Sequence, residues 1–184
     1  MKLRLKILWT NNKFFFFKFY SIIIYSKKLQ SYIPVQINIS KENISGYGQI
    51  TKYTIRDKAI AIGMVNLKDT MTGVKVDFIE NLYPQLYSGI GKIADQLEVE
   101  HCLKRNLSSF DIISYAALNS HALHYLRGKR FFSKEAEQKI QDIINSTPKG
   151  QQFDTRKLGI QKMYMPESLI QKYIEICKKN PLIM

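Results

Sequence analysis

The first half of the chain alternates apolar and polar residues with the two-residue period of half-buried strands. This alternation predicts four strands, over residues 32–39, 50–56, 59–67 and 74–82. The segments between them contain glycine, aspartate and asparagine, which favour turns. Strands joined by short turns pair antiparallel, so residues 50–67 are predicted to form a hairpin within an antiparallel sheet.

After residue 84 the apolar period becomes helical. Ile90, Ile93, Ala94 and Leu97 share one stripe, which predicts a helix from about residue 89 to 105. Further patterns predict a strand over 110–116, helices over 119–127 and 133–144, a strand over 158–165 and a helix over 166–178. The order predicts an α+β, or mixed α/β, fold: a central, mostly antiparallel sheet flanked by helices on both faces.

Length and charge suggest the domain organisation. The chain has 184 residues and a formal net charge of +13, and its first 33 residues contain basic residues but no acid. Residues 14–25 read FFFFKFYSIIIY, which is shorter than the roughly 20 residues of a membrane-spanning helix and is interrupted by Lys18. We therefore expect a basic, aromatic N-terminal segment (residues 1–31) and one domain (residues 32–184), with membrane contact by the segment as the weaker alternative.

The two cysteines and the polar cluster beside one of them suggest neither a disulfide framework nor a metal site. Cys102 and Cys177 have no CxxC spacing, which fits a reducing cytoplasm. Glu98, Glu100 and His101 precede Cys102, but a helix spreads these side chains around its axis. We expect no metal and a cytoplasmic location.

A glycine pair lies between the fourth predicted strand and the first long helix. Gly89 and Gly91 permit backbone conformations that other residues avoid, and they let a ligand approach the main chain. Successive N–H groups and the positive end of the helix together favour a phosphate or pyrophosphate. The spacing matches neither a P-loop nor a dinucleotide-binding fingerprint.

The segment from Gly89 to Phe131 resembles the core of the GNAT (GCN5-related N-acetyltransferase) superfamily. The residues that match its turn, helix, asparagine-x-x-alanine pair and closing phenylalanine are Gly89, Ile90, Gly91, Asn119, Ala122 and Phe131. Three positions depart from the family pattern. Leu86 stands in place of arginine or glutamine, Arg130 replaces a glycine, and Leu126 occupies the register of the acid tyrosine, one place after Tyr125.

The resemblance implies acetyl-CoA as the co-substrate and assigns roles to individual residues. The implied cofactor-binding residues are Asn81, Leu82, Tyr87, Ser88, Gly89, Ile90, Gly91, Lys92 and Asn119. Tyr125 is the expected general acid, with His121 and His124 as alternatives. Glu80 is preferred over Asp77 as the base, and because they are three apart on a strand we expect them on opposite faces.

The function expected from the resemblance is transfer of an acetyl or other acyl group from the coenzyme A thioester to an amine. The acceptor is left open between a small molecule, a protein and an aminoacyl-tRNA, and a homodimer is carried as a further expectation. Two alternatives remain: a basic nucleic-acid-binding module that uses the N-terminal lysines, and a GNAT-like protein without catalytic activity.

Overall fold

The computed structural model of the protein describes residues 22–107, 110–117 and 120–183. Within these residues the strands are β1 (Ile22–Ser26), β2 (Ser31–Ile44), β3 (Gly48–Asp57), β4 (Ile60–Asp69), β5 (Gly73–Asn81), β6 (Tyr87–Ser88), β7 (Asp111–Ala116), β8 (Arg130–Phe131) and β9 (Gln161–Tyr164). The helices are α1 (Ile90–Lys104), α2 (Ser120–Leu126), α3 (Lys134–Ser146) and α4 (Glu167–Lys179), with a short 3-10 helix at Arg156–Leu158.

All nine strands belong to one sheet, in the order β6-β1-β2-β3-β4-β5-β7-β9-β8. Neighbouring strands pair antiparallel except β5 and β7, which are parallel because α1 connects them. The predicted α+β class and mostly antiparallel sheet are confirmed. None of the described helices is long and apolar enough to cross a membrane.

The long elements agree with the predicted periods, while the short ones were not predicted. Strand β2 continues to Ile44, five residues past its predicted end. The second half of the strand is exposed and packs against no core, so it lacks an apolar period, but it is hydrogen-bonded to β3. The two-residue strands β6 and β8 are too short to show any period. Strand β1 lies within the predicted N-terminal segment; residues 1–21 lie outside the described residues.

The main core lies between one face of the sheet and helices α1 and α4. Alternate residues of the strands supply its sheet side, including Tyr53, Val65 and Val74. Helix α1 is buried along most of its length, and Ile90 at its start packs over Gly63 of β4. A Cβ on Gly63 would lie 2.8 Å from the Cδ1 atom of Ile90. The missing side chain therefore fixes how closely α1 approaches the sheet.

Gly73 fixes the parallel contact between β5 and β7. It pairs with Asp111, and a Cβ on Gly73 would lie 2.1 Å from the carbonyl oxygen of Asp111. Since a backbone atom cannot move aside as a side-chain end can, only glycine allows the two strands to pair here.

A bulge in β5 changes the positions of the two candidate bases. Strand β4 pairs Leu67 with Val76 but Asn66 with Phe78, so Asp77 is an extra residue in β5. Beyond the bulge Ile79 packs against the main core, so Glu80 turns to the other face of the sheet.

Asp77 lies on that same outer face. Its carboxylate accepts a hydrogen bond from the hydroxyl of Tyr47, whose ring lies 3.6 Å from the Nζ atom of Lys68. Lys68 follows Leu67, which faces the core, so it points outwards. The prediction that Asp77 and Glu80 face opposite sides is therefore wrong, because the bulge adds one residue between them.

Candidate ligand site at the glycine turn

The parallel pairing of β5 with β7 ends early and leaves an open strand edge. The last pair is Val76 with Ser114, although β5 continues to Asn81. Strand β7 pairs with β9 along its other edge, from Ile113 to Ala116, but its last two residues, Tyr115 and Ala116, pair with no residue of β5. The two strands therefore separate, and within the described residues the β7 side of β5 has no strand partner after Val76.

The backbone groups on this edge follow from the register of β5 on β4. The N–H of Leu82 donates to the carbonyl oxygen of Ile62 at 3.1 Å. In an antiparallel pair, successive residues turn their backbone groups to alternate edges, so Ile79 and Asn81 present N–H and C=O groups to the open side. Of the predicted pair Asn81 and Leu82, Asn81 has an outward N–H, while that of Leu82 is used within the sheet.

The side chain of Asn81 joins this edge to the glycine turn. Its Nδ2 atom donates to the carbonyl oxygen of Tyr87 at 3.0 Å, and its Oδ1 accepts from the N–H of Tyr83 at 3.1 Å. Tyr87 and Ser88 form β6, which pairs with Ser26 and Tyr25 of β1. The turn is thus held from both sides before α1 begins.

Gly89 begins the helix in a conformation that favours glycine. Its φ is 106°, in the left-handed region, and it is the residue before the first turn of α1. The N–H of Lys92 donates to the carbonyl oxygen of Gly89 at 3.0 Å, and the N–H of Tyr87 donates to that of Tyr83 at 3.0 Å. In the part of the chain that the structure describes, the N–H groups of Gly89, Ile90 and Gly91 donate to no backbone carbonyl.

Gly91 makes room for a guanidinium group at the start of α1. A Cβ at this position would lie 2.6 Å from the Nη1 atom of Arg127. Arg127 donates from Nε to the Oδ2 of Asp95 at 2.7 Å and from Nη2 to the Nδ1 of His124 at 2.9 Å. Burial, reinforced by Lys129 and Arg127, lowers the pKa of His124 to about 2. His124 is therefore neutral and its Nδ1 accepts, which removes that atom as a proton donor.

A buried ion-pair network lies directly beneath the turn. Lys129 is fully buried and donates from Nζ to both carboxylate oxygens of Glu98, each at 2.8 Å. The same Nζ lies 3.3 Å from the Oδ1 of Asp95, an ion pair outside hydrogen-bond geometry. With Arg127, the network holds two carboxylates and two cations, and it joins α1 to the segment that follows α2.

The predicted catalytic side chains lie apart from one another. The Tyr125 ring stacks on Phe131 at 6.2 Å, and its hydroxyl oxygen accepts from the Nε2 atom of Gln141 in α3 at 2.7 Å. Tyr125 therefore packs against a second, smaller hydrophobic cluster, which includes Phe131 and Ile140 of α3, rather than against the turn. Glu80 is half-buried on the outer face of β5. Asn119 lies outside the described residues.

The polar residues of α1 turn to separate partners. Glu100 accepts from the N–H groups of Leu182 and Ile183, each at 2.7 Å, and so holds the C-terminal residues on the helix. His101 hydrogen bonds to the Tyr53 hydroxyl and to Asp69, each at 2.6 Å. The structure thus gives Glu98, Glu100 and His101 different neighbours, as expected for residues spread around a helix.

Arg127 and Lys129 are parts of the site that were not predicted from the sequence. The signal that could have found them is a basic pair separated by one glycine, Arg127-Gly128-Lys129, at the end of a helix that contains two histidines. Nothing in the local pattern indicates that the missing side chain of Gly91 leaves room for the guanidinium group of Arg127, since the two residues are 36 positions apart in the sequence.

The chain matches no family profile and no curated protein. It is similar to an IAA acetyltransferase from Bacillus cereus ATCC 14579 at 19% identity, covering 63% of this chain and 77% of that one with a TM-score of 0.41. It is also similar to a protein of Bacteroides thetaiotaomicron assigned to the GNAT acetyltransferases, at 13% identity, covering 73% and 74% with a TM-score of 0.28.

Proposed function

We propose that the protein is an N-acyltransferase that moves an acetyl or related acyl group from acyl-CoA to an amine. The observation that carries this proposal is the open edge of β5 beside the glycine turn. Strands β5 and β7 separate after Val76 and Ser114, and the separation leaves a backbone edge next to the start of α1.

The open edge suits an extended ligand that itself contains amides. The pantetheine arm of coenzyme A has two amide groups, so it can pair with the outward N–H and C=O groups of Ile79 and Asn81 as an added strand would. The outward N–H of Asn81 is also the donor proposed for the thioester oxygen, where it would stabilise the charge that develops during acyl transfer.

The glycine turn suits the pyrophosphate at the other end of the same ligand. The N–H groups of Gly89, Ile90 and Gly91 begin α1, where the helix dipole adds positive potential. Lys92 is exposed on the first turn, and Arg127 lies against Gly91. Arg127 thus offers the turn a cation, whereas Leu86, which stands in place of the family's arginine or glutamine, offers none.

Tyr125 as the acid and Glu80 as the base remain proposals. A phenol can protonate the leaving thiolate, and the Tyr125 hydroxyl keeps its own proton while it accepts from Gln141. Glu80 can remove a proton from an amine that approaches from the outer face, directly or through water. Asn119 is proposed to bond the pantetheine arm. The acceptor stays open between a small molecule, a protein and an aminoacyl-tRNA, with a cytoplasmic location as part of the proposal.

Isothermal titration with coenzyme A tests the binding step, and thiol release from acetyl-CoA in the presence of an amine panel tests turnover. The informative variant is Gly89→Ala, because alanine at φ 106° strains the turn while its Cβ would be 3.6 Å from Ile24, an ordinary contact. We expect coenzyme A affinity to fall at least tenfold.

Gly150→Ala is the matched control. Gly150 has φ 90° and nothing within 4 Å of an added Cβ, so the substitution introduces a similar strain of about 1–2 kcal/mol away from the site. Equal coenzyme A affinity in the two variants, or no binding by the unmodified protein at millimolar coenzyme A, would refute the proposed site. Binding without thiol release for any amine would leave the protein as a coenzyme A-binding relative without catalytic activity.

A further inference from the structure

The sheet face turned away from α1 and α4 carries a group of aromatic and lysine side chains on four adjacent strands and a neighbouring turn. Lys75 alternates with the core residues Val74 and Val76, and Tyr115 alternates with buried Ser114 and Ala116. We call this group the aromatic–lysine surface; it consists of Lys68, Lys75, Tyr115, Phe132, Lys162 and Tyr164.

The strand register places these side chains side by side. Lys68 of β4 pairs with Lys75 of β5, and Tyr115 of β7 pairs with Lys162 of β9. The Nζ atom of Lys75 lies 5.0 Å from the centre of the Tyr115 ring. Neighbouring strands are about 4.8 Å apart, so the surface spans about 14 Å across the sheet.

The rings are open to solvent although they are large and apolar. Tyr115 is 48% exposed, Phe132 54% and Tyr164 37%. The Phe132 and Tyr164 rings lie 5.0 Å apart, and the Nζ atom of Lys162 lies 4.5 Å from the Phe132 ring. Each ring therefore has a cation or a second ring beside it and still presents free surface, and apolar side chains grouped in this way indicate a binding surface more strongly than single exposed ones do.

We infer that the aromatic–lysine surface binds single-stranded nucleic acid. A nucleotide presents a flat base beside a phosphate, and this surface presents a ring beside an ammonium group at two separate places. Open sheets that carry exposed aromatic residues stack two or three unpaired bases, and nearby cations hold the backbone. The carboxylate of Asp77, which adjoins Lys75, is bonded to the Tyr47 hydroxyl. An acidic peptide would use the lysines but would leave the three rings without a role.

This inference moves the nucleic-acid contact away from the N-terminal lysines. It also places the bound strand beside the open edge of β5, because Tyr115 directly follows the last residue of β7 that pairs with β5. Binding does not require acyl transfer, so a protein that fails to bind coenzyme A can still show it.

Fluorescence anisotropy with labelled 12-nucleotide oligo(U) and oligo(dT), measured between 50 and 200 mM NaCl, tests the inference on the full chain. Each phosphate contact in a single strand contributes about −0.7 to the slope of log K against log salt. The double variant Lys75→Gln/Lys162→Gln should therefore make the slope shallower by about 1.4. Phe132→Ala should weaken binding about tenfold through lost stacking, with an unchanged slope.

Matched controls separate this surface from general charge. Lys172 and Lys179 are exposed on α4, and Lys172→Gln/Lys179→Gln removes the same charge from the other side of the molecule. Tyr32→Ala removes a ring that is 69% exposed on β2. Both should leave affinity within twofold. Thermal unfolding of each variant must match the unmodified protein before its affinity is compared.

Several results would overturn the inference. These are no binding of either oligonucleotide, equal affinity for a 12-base-pair duplex, or equal competition by polyglutamate. A loss of binding on Lys2→Gln/Arg4→Gln/Lys6→Gln that exceeds the loss in the Lys75/Lys162 variant would place the contact on the N-terminal residues and would overturn it as well. A preference for oligo(U) over oligo(dT) supports it and identifies RNA as the partner.

Discussion

Removal of Lys129 tests whether the stability of the protein depends on equal numbers of carboxylates and cations in the ion-pair network beneath the glycine turn. The Nζ atom of Lys129 donates to both oxygens of Glu98 at 2.8 Å, and both side chains are fully buried. Lys129→Met keeps most of the side-chain volume but leaves two buried carboxylates, Asp95 and Glu98, with Arg127 as their one cation. Breaking a buried pair in this way costs about 3–5 kcal/mol.

The loss of stability in Lys129→Met should depend on pH, and the direction of this dependence follows from the pKa of Glu98. Burial raises its pKa from 4.5 to about 7 against the lowering effect of Lys129. The folded protein therefore keeps a proton that the unfolded chain releases, and Glu98 lowers stability as pH rises from about 4.5 to about 7. In Lys129→Met the pKa of Glu98 rises further, so the loss continues above pH 7 at about 1.4 kcal/mol per pH unit.

The stability difference between the two proteins should therefore be smaller at pH 5 than at pH 9. At pH 5 Glu98 is protonated in both, so the variant loses about 1–3 kcal/mol for the missing hydrogen bonds. At pH 9 we expect the full cost of about 3–5 kcal/mol. Urea unfolding followed by circular dichroism gives both values, provided that the m-value is unchanged.

The double variant Lys129→Met/Glu98→Met is the decisive control. It leaves one buried carboxylate, Asp95, paired with one cation, Arg127, so the charges balance again. The double variant should therefore recover most of the stability that the single variant loses at pH 9. The reasoning is refuted if Lys129→Met costs the same at pH 5 and pH 9, or if the double variant is no more stable at pH 9 than the single one.

Three further predictions concern single contacts. Gly73→Ala should destabilise the protein by more than about 3 kcal/mol or prevent folding, because its Cβ meets the Asp111 backbone at 2.1 Å; the soluble yield and melting temperature report this. Ser133→Ala should cost about 1 kcal/mol in urea unfolding, since the Ser133 hydroxyl caps α3 at its N-terminus. Tyr125→Phe should leave coenzyme A affinity unchanged and lower stability by about 1 kcal/mol through the lost bond from Gln141, while thiol release falls if Tyr125 is the acid; unchanged release would remove that role.

Most of the fold follows from the sequence because the long elements have a clear period. Helix α1 begins and ends within one residue of its predicted bounds, since the stripe from Ile90 to Leu97 follows a glycine turn. The apolar period does not predict a strand that is hydrogen-bonded to its neighbour but has no apolar face. The second half of β2 is exposed on both faces, so its extension to Ile44 depends on hydrogen bonds to β3 that no local pattern encodes.

The site could be predicted only as far as its local residues reach. The turn at Gly89 could be predicted because a residue in the left-handed conformation before a helix is favoured to be glycine in any protein. The role of Gly91 as a phosphate-binding residue stays a prediction, and its contact with the guanidinium of Arg127 could not be predicted, because that contact appears only once α2 is folded against α1. The bulge at Asp77 is similarly invisible, because one extra residue in a strand changes no local propensity.

In the proposed site, Arg127 beside Gly91 supplies a cation for a bound phosphate, since Leu86 offers none. A cation at the start of a helix faces the positive end of the dipole, and a carboxylate beside it offsets that repulsion. Asp95 supplies that support at 2.7 Å, and it belongs to the same network as Lys129 and Glu98. Helix α1 therefore carries, about one turn after its start, the carboxylate of Asp95, which holds the Arg127 guanidinium at the start of the helix. A phosphate at the turn would then meet main-chain N–H groups and a guanidinium that is already oriented, so little ordering remains to be done on binding.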